Sequence, residues 1–85
     1  MKSVTIYTTS RCPYCVRAKA LLDKKKVSYH EISVEDDEEL RAKMTEKAGG
    51  KRSVPQIFIG DHHVGGCDDL YALESKGKLN ELLTL

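Results

Sequence analysis

Hydrophobic and polar positions alternate along this chain in short blocks of two different periods. Residues 2–8 (Lys-Ser-Val-Thr-Ile-Tyr-Thr) hold a β-branched run that reads as a buried strand. From Pro13 to about Lys25 the apolar positions Cys15, Ala18, Leu21 and Leu22 recur at helical spacing. Val27 to Ile32 alternates again and predicts a second strand. Asp36 to Ala48 predicts a second helix, with Leu40 and Met44 four residues apart, acids in its first turns and bases in its last, as the helix dipole prefers. Gly49-Gly50 ends it.

A basic loop, Lys51-Arg52-Ser53, leads through Val54-Pro55 to a third strand, Gln56 to Ile59. Gly60-Asp61-His62 turns that strand toward a short partner, His63-Val64-Gly65, and His62 and His63 at the turn are expected to face solvent. Asp68 or Asp69 opens a third helix through Leu70 and Leu73, stopped at Gly77, and Lys78 to Leu83 forms a last turn or two with Leu79, Leu82 and Leu83 inward. The order βαβ, then α, then ββα, predicts an α/β domain over residues 1–85: a small mixed sheet with helices on both faces.

Eighty-five residues suffice for one small core. Fourteen basic residues against thirteen acidic ones, interspersed, argue against a nucleic-acid footprint. Lys24-Lys25-Lys26 falls where the first helix ends, a position that suits cations. No apolar stretch reaches the length of a membrane span and the N-terminus lacks a secretory pattern, so a soluble, cytoplasmic protein is expected.

The chemistry concentrates at Cys12-Pro13-Tyr14-Cys15, directly after the first strand. Two thiols at a strand-to-helix junction suit redox exchange better than a structural staple. With Cys12 as the helix cap, Pro13 takes the first helical position, where its missing N–H is harmless. The free N–H groups of Tyr14 and Cys15 then point back at the Cys12 sulfur and favour thiolate. Cys15, one turn along, is close enough to attack a mixed disulfide formed on Cys12. The third cysteine, Cys67, reads as a buried small hydrophobe. A zinc set of Cys12, Cys15, Cys67 and a histidine is the competing reading; its spacing is poor, because Cys15 would be hidden in one helix while Cys67 opens another.

Three blocks, Cys12-Pro13-Tyr14-Cys15, Val54-Pro55-Gln56-Ile57-Phe58-Ile59 and Gly65-Gly66-Cys67-Asp68-Asp69-Leu70, stand in the order and spacing of the glutaredoxins. Over essentially its whole length the chain resembles the small bacterial dithiol type. The resemblance implies a thioredoxin-like fold with a four-stranded sheet. It also implies glutathione-dependent reduction of protein disulfides and protein–glutathione mixed disulfides, with Cys12 attacking, Cys15 resolving, and glutathione as co-substrate rather than any metal. Partners of that kind are disulfide-containing or glutathionylated proteins, ribonucleotide reductase among the candidates, met by a monomer. Pro55 would be cis and face the thiols, Val54 would offer its backbone to the cysteine of glutathione, and Cys67 and Asp68 would meet its γ-glutamyl end, beside Tyr14.

The chain departs from the family in one place. The Lys that many glutaredoxins carry three residues before the first cysteine is Thr9 here, and Arg11 stands immediately before Cys12 instead. Arg11 either takes over part of that electrostatic task or projects into water. Arg41 matches a position that reaches the glycyl carboxylate in relatives. A glutathione-ligated iron–sulfur cluster between two chains, and reduction by thioredoxin reductase, are the remaining alternatives. Pro13 disfavours the first; the Gly65-to-Asp69 segment and the basic loop disfavour the second.

Overall fold

A computed structural model describes residues 2–84; Met1 and Leu85, the ends of the expected domain, lie outside the described residues. Four strands, β1 (Val4–Thr8), β2 (His30–Ser33), β3 (Gln56–Ile59) and β4 (His62–Gly65), alternate with α1 (Pro13–Lys24), α2 (Glu38–Lys47), α3 (Cys67–Ser75) and α4 (Leu79–Thr84). The sheet order is β2-β1-β3-β4, with β1 parallel to β2 and antiparallel to β3, and β3 antiparallel to β4. This is the mixed sheet that the element order predicted.

The period of two along each strand divides the core. Val4, Ile6, Ile57 and Ile59 pack with Ala18, Leu21 and Leu22 of α1, Leu70 of α3 and Leu79 and Leu83 of α4. Tyr7 and Phe58 turn to the opposite face, against Met44 and Ala48, with Leu40 of α2 beside them. The rings of Tyr7 and Phe58 meet edge to face, centroids 5.7 Å apart, a favourable aromatic arrangement. Helices therefore cover both faces: α1, α3 and α4 one, α2 the other.

Most element ends shift by a residue or two, and two starts move for an identifiable reason. The second strand starts at His30, not Val27, because Val27 belongs to the end of α1: its N–H bonds the Leu22 carbonyl at 3.0 Å while Lys26, with φ 59°, bonds Asp23 at 2.9 Å. That is a Schellman ending, and the buried Val27 is its apolar latch. The third helix starts at Cys67 with Gly66 as its cap, not at Asp68 or Asp69. Asp69 instead reaches back, its carboxylate accepting the Gly66 N–H at 2.9 Å, so the acid that signals the helix lies inside its first turn. The α2 cap is Asp37, whose carboxylate accepts the Leu40 N–H at 3.0 Å.

Candidate functional site: a dithiol at a helix N-terminus

The β1–α1 junction brings Cys12 to the cap of α1, with extended backbone (φ −128°, ψ 99°) and Pro13 beginning the helix. Of the two N–H groups expected to face the Cys12 sulfur, that of Cys15 does so, at 3.1 Å. Cys12 and Cys15 are joined as a disulfide, their Cα atoms 5.1 Å apart, so the structure is that of the oxidised site. The two sulfurs differ in access. Cys12 is 8 % exposed, and Cys15, one turn into the helix and above the sheet, is 1 % exposed. An incoming nucleophile or substrate sulfur meets Cys12 first.

The loop before β3 supplies the facing wall. The Val54–Pro55 peptide is cis, as the resemblance implied, and the Val54 carbonyl oxygen lies 3.7 Å from the Cys12 Sγ. From there a cleft of about 270 Å³ runs past Tyr14, Lys51, Val54 and Pro55 to Cys67 and Asp68 at the N-terminus of α3. Gly65 makes that turn possible. Its φ is +116°, and a Cβ there would run into the Asp69 carboxylate, which a residue other than glycine cannot relieve.

Five of the residues singled out from sequence thus line one groove beside the dithiol: Tyr14, Val54, Pro55, Cys67 and Asp68. Tyr14 is 54 % exposed, an aromatic flank rather than a core residue. The two arginines stand elsewhere. Arg11 is exposed and does not line the cleft. Arg41 donates from Nε and Nη2 to the Arg52 carbonyl oxygen at 3.1 and 2.9 Å, which fastens the basic loop to α2. Burial pushes the Cys67 thiol pKa up, with Arg17 opposing and Asp68 reinforcing, so Cys67 is held as a neutral thiol.

Sequence reasoning missed Gln56 and His63. His63 is not a solvent-facing turn residue: it lies in β4, stacked on Phe58 with ring centroids 4.9 Å apart and Nε2 2.7 Å from the Gln56 Oε1. The available signal was Gln56 itself, a polar residue in an otherwise apolar strand directly after Pro55. Lys51 was legible as part of a basic loop but not as cleft lining. Among the described residues no group of three or more His, Cys, Asp or Glu side chains is arranged to hold a metal ion, and no helix is long and apolar enough to cross a membrane.

An oxidisable cysteine pair on the first helix of a four-stranded mixed sheet, its outer sulfur facing the loop that ends in cis-Pro55, defines a thioredoxin-like thiol–disulfide oxidoreductase. Comparison with known proteins narrows the class. The glutaredoxin family profile matches residues 4–64. The chain is 57 % identical to a glutaredoxin of Pseudomonas aeruginosa, over 99 % of both chains, and 52 % identical to glutaredoxin 3 of Escherichia coli K12, over 98 % of this chain and 99 % of that one. Its fold superposes on the solution structure of a Brucella melitensis glutaredoxin with a TM-score of 0.86 at 58 % identity, covering 98 % of this chain and 89 % of that one. A buckwheat glutaredoxin–glutathione complex gives a TM-score of 0.89 at 31 % identity, over 98 % and 77 %. The chain belongs to the glutaredoxin family.

Proposed function

We propose that this glutaredoxin draws its electrons from glutathione and reduces protein–glutathione mixed disulfides and protein disulfides. The observation that carries the reading is the cleft: it begins at the Val54 backbone, 3.7 Å from the Cys12 sulfur, and ends at the N-terminus of α3. Such a groove suits a short extended peptide carrying a sulfur at one point and carboxylates at its ends. Val54 adds a strand-like backbone contact beside the sulfur. The free N–H groups that open α3 suit the γ-glutamyl carboxylate, and the Asp68 side chain suits that residue's ammonium. Lys51, which lines the cleft, is a better partner for the glycyl carboxylate than Arg41, whose guanidinium is committed to the Arg52 carbonyl. That a buckwheat relative of the same fold is known as a glutathione complex supports this reading.

The cycle then runs on the chain's own sulfurs. In the reduced enzyme the Cys12 thiolate attacks the glutathione sulfur of a glutathionylated protein; the protein's thiolate leaves and takes a proton. The new Cys12–glutathione disulfide is cleaved by the thiolate of a second glutathione, which leaves as glutathione disulfide and returns the Cys12 thiolate. With a protein disulfide as substrate, Cys12 forms the mixed disulfide and the deprotonated Cys15 displaces the second protein thiol, giving the Cys12–Cys15 bond present in the structure. The Cys15 N–H aimed at the Cys12 sulfur favours the thiolate in both halves, since Cys12 attacks and later leaves.

Turnover of a glutathionylated peptide, coupled through glutathione reductase to NADPH, tests the proposal. Cys12→Ser is expected to abolish it and Cys15→Ser to retain it, while Cys15→Ser loses reduction of an intramolecular protein disulfide. A wild-type enzyme without glutathione-dependent turnover would sink the reading.

A further inference from the structure

Gln56 and Thr8 are the buried polar side chains of the described chain, and Gln56 is 1 % exposed. Its Nε2 donates to the Ser53 carbonyl oxygen at 2.9 Å and lies 3.3 Å from the Ser53 hydroxyl; its Oε1 lies 2.7 Å from His63 Nε2. A carbonyl oxygen only accepts, so the amide nitrogen is the atom that faces Ser53. The amide oxygen then faces His63, whose ring must carry its hydrogen on Nε2. His63 is fixed in turn by its stack on Phe58, the residue it pairs with across β3 and β4. One end of this chain of bonds is rooted in the sheet and the other holds an exposed loop.

The loop end matters for geometry. The Ser53–Val54 peptide is trans, since Val54–Pro55 is the cis bond of the described chain. In a trans peptide the C=O and the following N–H leave one rigid plane in opposite directions. Holding the Ser53 oxygen therefore aims the Val54 N–H, which donates to no acceptor among the described residues although Val54 lines the cleft. We propose that His63, acting through Gln56, is a positioning residue that aims the Val54 N–H at the cysteinyl carbonyl of glutathione bound in the cleft. The inference rests on the glutathione reading above. The groups around the ring are Lys51 from the loop, Asp69 from α3 and His62 from β4. The bond itself needs only the Nε2 hydrogen, which the neutral tautomer and the imidazolium share, so the tether holds whichever of them prevails.

The test is steady-state kinetics on a glutathionylated peptide with three variants. His63→Phe keeps the stack and removes the donor, Gln56→Met keeps the shape and removes both bonds, and His63→Gln restores an N–H near the place of Nε2. The first two are expected to raise KM by about threefold to tenfold, the worth of one misaimed hydrogen bond, with kcat within about twofold; His63→Gln returns KM toward wild type. A purely structural role would lower Tm without this split. Wild-type KM in folded His63→Phe, or a fall in kcat at unchanged KM, overturns the tether. Should either variant fail to fold, ring-nitrogen NMR of the wild type decides instead: a hydrogen on Nε2 is expected, and a ring protonated on Nδ1 alone overturns the proposal. Titration with oxidised glutathione separates the two levels. A Val54 amide that shifts while the variants keep their KM defeats only the tether; no saturation and no shift in the wild type defeats the glutathione reading and the tether together.

Discussion

Three cysteines of identical chemistry hold three different roles, set by where the backbone puts them. Cys12 caps a helix at the surface, Cys15 lies beneath it, and Cys67 sits at the start of another helix, buried with its thiol pKa raised. Reactivity follows the thiolate and its access. In the reduced protein at neutral pH, iodoacetamide should label Cys12 at least about tenfold faster than Cys67, by the same thiolate criterion. Mass spectrometry of timed samples reads the order, and denaturation should bring Cys67 to the rate of an ordinary thiol; Cys67 labelled first would contradict its burial. At this scale the cysteine pair was legible, because its chemistry is written in adjacent letters, whereas cis-Pro55 came only with the resemblance to the glutaredoxins. His63 was not: in sequence it is a histidine beside a turn, and only the pairing of β4 with β3 brings it to Gln56.

Helix endings show what the elements add to propensity. Three helices finish with the same pair of bonds, in which the residue after the cap takes a left-handed conformation. Gly49 (φ 68°) serves after α2 and Gly77 (φ 70°) after α3, but α1 uses Lys26 (φ 59°). The glycine endings were readable. The lysine ending was not, because Lys-Lys-Lys carries no stop signal, and the apolar latch Val27 therefore read as the first residue of a strand. A lysine in this region bears a steric cost of about 1 kcal/mol or more that glycine avoids. Lys26→Gly should therefore stabilise the protein by about 0.5–1 kcal/mol after the extra freedom of the unfolded glycine is set against it, seen as a higher urea midpoint with unchanged slope. An unchanged or lower midpoint would mean that the Lys26 side chain contributes more than its backbone costs.

The whole molecule is tied across its layers by a few polar contacts as well as by its core. Glu31 on β2 accepts from the buried Thr8 hydroxyl of β1 at 2.8 Å and pairs with Lys19 of α1 at 2.9 Å. The Lys19 bond, then that of Thr8, holds the Glu31 pKa below its usual 4.5 against a smaller desolvation effect. A carboxylate depressed in the native state stabilises the fold above the unfolded pKa, and that contribution is lost as pH falls through the lower native one. Glu31 is 39 % exposed, so the gain stays below about 1 kcal/mol. Wild type should therefore exceed Glu31→Gln in urea midpoint at pH 7, with the gap closing below about pH 4.5; a gap that persists in acid would assign it to packing. The fold itself was legible at this scale because strand and helix periods alternate cleanly. The site was less so, since its two walls come from opposite halves of the chain.

That division has a consequence for how the protein comes into being. Cys12 follows β1, whereas Val54 precedes β3, and the antiparallel pairing of Val4 through Tyr7 with Ile59 through Gln56 brings the two together. Synthesis from the N-terminus completes the Cys12–Cys15 pair before Val54 and Ile59 have been made. Contacts so distant in sequence form late, after the entropy of a long loop has been overcome. During that interval the cysteines are ordinary thiols open to any oxidant, without the cleft that selects what they react with. Selectivity arrives with the third strand, and the newborn chain depends on its surroundings to keep its own chemistry quiet until then.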